Sequence, residues 1–487
     1  VPLDAGLCKT CVHARSVASS RGSAFVMCGR HAAEPRYPKY PRLPVAACPG
    51  HETRVARIAS TKSGATMVNV TTEVGRLREV LVHEPGPEVD AMVPSMMEEL
   101  LFDDILYGDR AREEHGLFRR VLQLLGVTVH DAQDLLEEVL AEPAGRRFTL
   151  DSMLPQGSAE LSARLSESTP SQLAAALVGG LRFPTSAEGV LDVSDLFEVP
   201  PLPNWCFQRD PQVVIGHGVA YASMASPARE REARLARALF RFHPDLAATP
   251  TLHEPLVADF ERSHVAGAGH ACLEGGDVIV VSPELLAIGL SERTNRLGIE
   301  DLANALAARD DGPRYLVVVE LPRRRAYMHL DTLFTPVDRD LALVFPPVVL
   351  HQGAEQATVY EIDLRSKHRA WTPQDDLLSC IGRRSTRFTP ISCGGDDPIA
   401  QQREQWTDGA NALALAPGVI AMYDRNRGTM EELSRRGFRI VDAEDLVLGR
   451  DEVDLDAGER VCISFSSHEL SRARGGPHCL THPLRRD

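Results

Sequence analysis

The stretch Arg474-Gly475-Gly476-Pro477-His478-Cys479 ends eight residues before the last position of the chain, and its reading decides the rest. Gly475 and Gly476 are expected to take positive φ and approach a ligand closely, Pro477 stiffens the next step, and Cys479 follows on that curve. Taken alone, the hexapeptide reads as loop punctuation with Cys479 a small buried hydrophobe. Polar clusters upstream reverse that reading.

The first cluster is Asn204-Trp205-Cys206-Phe207-Gln208-Arg209-Asp210, just before the strand-like Val213-Val214-Ile215. Two oxygens of a carboxylate at a strand mouth match two N–H groups of a guanidinium; the alternative is a turn Asp210 paired with Arg209. The second is Cys272-Leu273-Glu274-Gly275-Gly276-Asp277, directly before Val278-Ile279-Val280-Val281, which reads as a close-approach loop between two acids or as a Gly-Gly bulge. The third is Met328-His329-Leu330-Asp331-Thr332. Read as a strand, it turns His329 and Asp331 to one face and Leu330 to the other, as acid/base equipment or as a buried structural pair. Arg229, in Ser226-Pro227-Ala228-Arg229, and Arg293, in Gly289-Leu290-Ser291-Glu292-Arg293-Thr294, are surface charges or anion ligands. Together these groups describe a site for a doubly functional cation. Acids grip a guanidinium, arginines hold a carboxylate, and Cys479 attacks the carbon between the nitrogens.

The bulk properties agree. The chain has 487 residues, 43% hydrophobic and 25% charged, with a net charge of -15, and no apolar stretch long enough to span a membrane. Residues 1–66 carry ten Lys or Arg against three Asp or Glu, leaving -22 on the remainder. That acidity disfavours nucleic acid as the partner of the large part and suits a cationic small molecule. The first thirty residues lack an apolar signal core, so a cytoplasmic, reducing location is expected, with the ten cysteines as thiols or metal ligands.

Residues 1–52 form a Cys/His-rich module in which Cys8/Cys11, Cys28/His31 and Cys48/His51 recur at similar spacing. Paired ligands three apart suit a tight turn around a metal, and so short a segment needs a staple. A structural zinc on Cys8, Cys11, Cys28 and Cys48 is the expectation, with an iron–sulfur cluster or a disordered basic arm as alternatives. A linker covers 53–66, and the large domain runs over 67–487, so Val1 and Met67 are both candidate starts. Two short strands are expected around Gly75, a helix over 110–125, a strand at Val127-Thr128-Val129-His130, and a helical insertion at 132–190. From 190 onward strand-like runs alternate with helices such as 230–240 and 430–436, the rhythm of an α/β fold.

From Met67 to Asp487 the chain closely resembles bacterial arginine deiminases. The resemblance rests on residues 73–83 and 99–104 together with the collinear motifs quoted above. It implies a five-bladed pseudo-symmetric α/β propeller with an inserted helical subdomain. It also implies hydrolysis of L-arginine to L-citrulline and ammonia, without metal or organic cofactor. By that resemblance Cys479 is the nucleophile, His329 the general acid and then base, Glu274 its support, and Asp210 and Asp331 the guanidinium clamp. Arg229, Arg293 and Asn204 hold the α-carboxylate, Phe207 and Asp277 line the substrate site, and Arg474 sits on a closing loop. Gln208, Pro211 and Leu480-Thr481-His482-Pro483 depart from the family pattern without removing a catalytic group, and His482 is expected to bear on the pH profile. Amidino transfer and an arginine-sensing regulatory protein are the competing readings; a homo-oligomer is compatible with all three.

Overall fold

The structure is a computed structural model that describes residues 14–18, 24–28, 68–154, 158–183, 196–255 and 270–487, with isolated residues between 30 and 48. Two compact units divide the chain, Val1–Ala65 and Thr66–Asp487. In the first, Ala14–Ala18 pairs antiparallel with Ala24–Cys28, and the Cys28 N–H donates to Lys39 O at 2.8 Å. Cys28 and Cys48 are half-buried free thiols. Cys8, Cys11 and the linker at 53–66 lie outside the described residues.

Among the described residues the second unit contains five sheets of three or more strands, all built on one plan: an antiparallel pair, then a strand parallel to one member of that pair. Gln212–Ile215 and Gly218–Tyr221 are followed by Thr251–His253. Val278–Ser282 and Leu285–Leu290 are followed by Tyr315–Glu320, and this sheet extends through Thr358–Asp363 and Thr372–Gln374. Phe334–Pro336 and Leu341–Val344 are followed by Thr389–Ser392. Leu413–Ala416 and Val419–Tyr423 are followed by Val461–Phe465, with Arg439–Asp442 outside it. In the remaining sheet Leu77–Val82 lies parallel to Thr128–Asp131, and its antiparallel neighbour is the strand His482–Arg486 from the far end of the chain. Central strands such as Leu285–Leu290 and Val419–Tyr423 are buried almost throughout, which is why they read as unbroken apolar runs rather than alternating ones. The mixed α/β class follows directly from this alternation.

One local expectation fails. The run before Gly75 does not make a strand paired with Leu77–Val82; Asn69 and Val70 form only single bridges to Arg485 and Gly216. The partner that Leu77–Val82 requires comes instead from His482–Arg486, which local pattern cannot reveal.

Helices at Ala132–Ala141, Pro143–Met153, Ala159–Ser166 and Pro170–Gly179 follow the Thr128–Asp131 strand. Asp131 caps the first by accepting from Gln133 N, and Thr169 with Gln172 forms a capping box on the fourth. The first two pack against the Glu230–Phe242 helix. Leu136, Val139, Leu173 and Leu239 bury their side chains in the shared core. Among the described residues no helix is long and apolar enough to cross a membrane.

Candidate active site

A polar segment leads into the first strand of each sheet, and the five segments are hydrogen-bonded to one another in a cycle. Arg209 N donates to Cys479 O at 3.1 Å and Gly275 N to Asp210 O at 2.9 Å. Leu330 N donates to Asp277 Oδ1 at 2.9 Å, Asn411 Nδ2 to Asp331 O at 3.1 Å, and Cys479 N to Asn411 Oδ1 at 3.1 Å. Cys479, Asp210, Glu274, His329 and Asp331 are all buried around this cycle.

The two glycine pairs are what let the segments come so close. A Cβ on Gly276 would lie 2.7 Å from His329 Nδ1 and 2.9 Å from Asp210 Oδ1, and one on Gly475 would lie 2.2 Å from the Phe207 ring. The expectation of positive φ at Gly475 and Gly476 is wrong: neither is left-handed, and Arg474 is, with φ 64°. Close approach, not backbone handedness, requires the glycines there.

His329 and Asp331 do not lie on a strand either. His329 is extended, and Leu330–Thr332 forms a single 3-10 turn. Asp277 explains the turn, since its Oδ1 takes Leu330 N while its Oδ2 takes Ser291 Oγ at 2.7 Å. Asp277 therefore sits behind the site with both oxygens engaged. Burial raises its carboxyl to about 7, against the pull of His329 and its hydrogen bonds.

The Cys479 Sγ is 3.5 Å from Asp331 Oδ2. Burial, then the charges of Asp331 and Asp210, push the thiol well above its ordinary value. His329 Nε2 is 2.9 Å from Glu274 Oε2, and Nδ1 is 3.7 Å from Asp210 Oδ1. Burial opposes the imidazolium, but Asp210, the hydrogen bond to Glu274 and the charge of Asp277 hold it up at about 9. Glu274 is held ionised: burial opposes, and Arg293, His329 and Arg229 prevail. Asp210 Oδ1 and Asp331 Oδ1 are buried without a hydrogen-bond partner.

The arginines divide into one saturated and two open. Arg229 donates to Asp210 Oδ2 at 2.8 Å and to Glu232 through Nε and NH2. Arg293 NH1 is buried without a hydrogen-bond partner, 3.9 Å from Glu274 Oε2. Arg474 stacks 3.4 Å above the centroid of the Trp406 ring, and its NH1 is 3.6 Å from Asp103 Oδ2. Asn204 Nδ2 is committed to Leu100 O at 2.7 Å, and Phe207 packs behind Gly475. Arg209 does not pair with Asp210; its NH1 is 3.7 Å from Glu73 Oε2 and its Nε donates to His478 O at 3.1 Å. His482 is buried edge-on to Phe240, and burial, aided by Arg209, lowers it to about 3. Burial thus favours the neutral imidazole, against the expectation that His482 bears on the pH profile.

The donor atoms of Asp210, Glu274 and His329 lie within 4.8 Å of one another, a set that could ligate a divalent ion. The Arg229 guanidinium, 2.8 Å from Asp210 and 3.7 Å from Glu274, supplies positive charge to these acids itself.

Residues 98–486 match the family model described as arginine deiminase. The chain belongs to the arginine deiminase family. It is 32% identical over 441 residues to the arginine deiminase of Bacillus cereus (strain B4264), covering 86% of this chain and 98% of that one. The arginine deiminase of Latilactobacillus sakei is 32% identical over 433 residues, with the same coverage. Among solved structures it resembles SxtG, an amidinotransferase from Microseira wollei in the saxitoxin biosynthetic pathway, in fold: TM-score 0.50, 18% identity, 86% of this chain and 97% of that chain.

Three neighbours of this site carried no sequence signal that placed them there. Asn411 bridges Asp331 and Cys479, and Glu232 holds Arg229. Glu73 Oε2 lies 3.2 Å from His478 Nε2, whose Nδ1 is 2.8 Å from Asp331 Oδ2. Glu73 and Glu232 fell in stretches that drew attention, residues 73–83 and the helix at 230–240, but nothing there pointed to the site. Their partners are distant in sequence, so no local spacing marks them.

Proposed function

We propose that this chain hydrolyses the guanidinium of L-arginine, with water, to L-citrulline and ammonium. The observation that carries it is the pair of buried, unpartnered carboxylate oxygens, Asp210 Oδ1 and Asp331 Oδ1, beside one cysteine. Unpaired buried acceptors are costly unless a ligand satisfies them, and a planar cation with N–H groups on both edges does so. Arg293 NH1, also buried and unpartnered, is the group left open for the substrate's carboxylate, a role the family resemblance extends to Arg229 and Asn204.

The chemistry follows from the charges. Asp331 and Asp210 contribute to keeping Cys479 protonated, and a guanidinium between them cancels that contribution, so the thiolate forms when substrate is present. The thiolate adds to the guanidinium carbon, and His329 donates its proton to the departing nitrogen, which leaves as ammonia. Neutral His329 then takes a proton from water as the oxygen adds to the carbon. The C–S bond breaks with its electron pair on sulfur, the adduct's hydroxyl proton returns to that thiolate to free neutral citrulline, and the proton Cys479 first gave up to solvent ends on ammonia as ammonium. Glu274 holds the imidazole in place throughout.

The same reading makes the five sheets the blades of a closed propeller, supported by their common strand plan and by the cycle of hydrogen bonds linking their leading segments. Incubation with L-arginine tests the function. Citrulline should form with wild-type chain and not with Cys479→Ala, and alkylation of Cys479 should accelerate when a non-reacting guanidinium ligand is added. Full activity in Cys479→Ala, or guanidino-transfer products alone when glycine is present, would reject it.

A further inference from the structure

Glu232 is a buried acid that the reaction above leaves unused. It lies in the first turn of the Glu230–Phe242 helix, three residues after Arg229, with 1% of its surface exposed. Arg229 occupies both of its oxygens: Nε donates to each at 3.1 Å, and NH2 donates to Oε2 at 2.7 Å. One edge of the guanidinium is thereby fixed. NH1 is the terminal nitrogen turned toward the reacting groups, 2.8 Å from Asp210 Oδ2 and 3.7 Å from Glu274 Oε2.

This arrangement conflicts with a simple clamp. A bidentate grip on a guanidinium needs both oxygens of a carboxylate, and Asp210 has only Oδ1 open while NH1 holds Oδ2. NH1 and the substrate's guanidinium therefore compete for Oδ2. An arginine balanced only by Asp210 and Glu274 would compete with that guanidinium for the same acids. Burial raises the Glu232 carboxyl to about 7, but Arg229 donates to both of its oxygens, the geometry of an ionised acid, and with that charge on its other edge Arg229 can release Asp210 without leaving a buried cation unpaired.

We propose that Glu232 is a positioning residue, a tether on which Arg229 turns so that NH1 passes from Asp210 to the carboxylate of the bound substrate. The proposal rests on the arginine-hydrolysing reading. It predicts that Glu232 matters for the carboxylate end of the ligand and little for the guanidinium end.

Binding is read without turnover by titrating L-arginine, and its decarboxylated analogue agmatine, into Cys479→Ser and into Cys479→Ser/Glu232→Gln by calorimetry. The L-arginine Kd should rise about thirtyfold in the double variant and the agmatine Kd less than about threefold. In the Cys479-intact chain, Glu232→Gln should raise KM with kcat held within about threefold, the mark of a lost contact made equally in ground and transition states. Should Glu232→Gln not fold, Glu232→Asp, which keeps the charge one methylene further back, is read in the same way with an expected loss of about fivefold. Equal losses for both ligands, no loss for either, or a fall in kcat at constant KM would overturn the tether. A chain that binds in the expected pattern yet makes no citrulline would reject the hydrolytic reading and leave the tether standing.

Discussion

Gly276→Ala tests whether the site depends on backbone approach. The added Cβ would lie 2.7 Å from His329 Nδ1, 2.8 Å from its Cγ and 2.9 Å from Asp210 Oδ1. An unstrained contact needs about 3.5 Å, so the imidazole or the carboxylate must retreat by roughly 0.7 Å. Gly276 is not in the left-handed region, so the strain falls on those side chains and not on φ. A displacement near 1 Å costs about a hundredfold in rate, or about 2.7 kcal/mol of barrier. Overpacking costs a further 1–3 kcal/mol or so of stability. Citrulline formation at saturating L-arginine gives kcat, and thermal unfolding gives the stability. Gly116→Ala is the matched control: its Cβ meets nothing within 4 Å on the Gly108–Leu124 helix. It should keep kcat and gain about 0.5–1 kcal/mol. A folded Gly276→Ala chain with kcat within threefold of wild type would refute the reasoning.

Asn411→Ala removes the bridge from Asp331 to Cys479 and leaves the buried Cys479 N–H unpaired, so stability should fall by about 1–3 kcal/mol, as chemical denaturation would show, and kcat should fall with it. His329, held up at about 9, supplies its proton below that pH. Its native interactions contribute stability fully below the unfolded value near 6.5, lost as pH rises through about 9, so both kcat and unfolding free energy should decline there, with the stability decline absent in His329→Gln. Residues 1–66 expressed alone should carry about one zinc per chain by metal analysis, and an iron–sulfur absorption spectrum would exclude that assignment.

Much of the site was legible because its members sit in short, local motifs beside apolar runs. Asp210 before Val213, Glu274 before Val278, and Cys479 within a glycine-rich turn each announce themselves within a few residues. The runs at Val278–Ser282, Tyr315–Glu320 and Leu341–Val344 form strands as their composition suggests, and Glu230–Phe242 forms a helix for the same local reason. What escaped depends on distant partners. The Leu330–Thr332 turn exists because Asp277, 53 positions earlier, takes Leu330 N, whereas the two-residue alternation of His329 and Asp331 suggested a strand. The glycines at 275–276 do make the close approach their setting suggests, whereas those at 475–476 do not take the positive φ expected of them, since a sequence reports that glycine is present but not which neighbour it makes room for. Asn411 stands between alanines, where nothing distinguishes it from any loop asparagine.

The strand His482–Arg486 has a consequence for when this chemistry can begin. Asn69 Nδ2 donates to Arg486 O across 417 positions, and Leu77–Val82 pairs with a strand made only after nearly all the rest. Closing so long a loop is entropically affordable, since each doubling of length adds only about 0.6 kcal/mol, but it must come late. Until it closes, the Cys479 backbone is held by Asn411 and Arg209, without the strand that anchors the chain just beyond it. A chain lacking residues 482–486 should therefore carry every upstream acid and base of the site yet lose turnover.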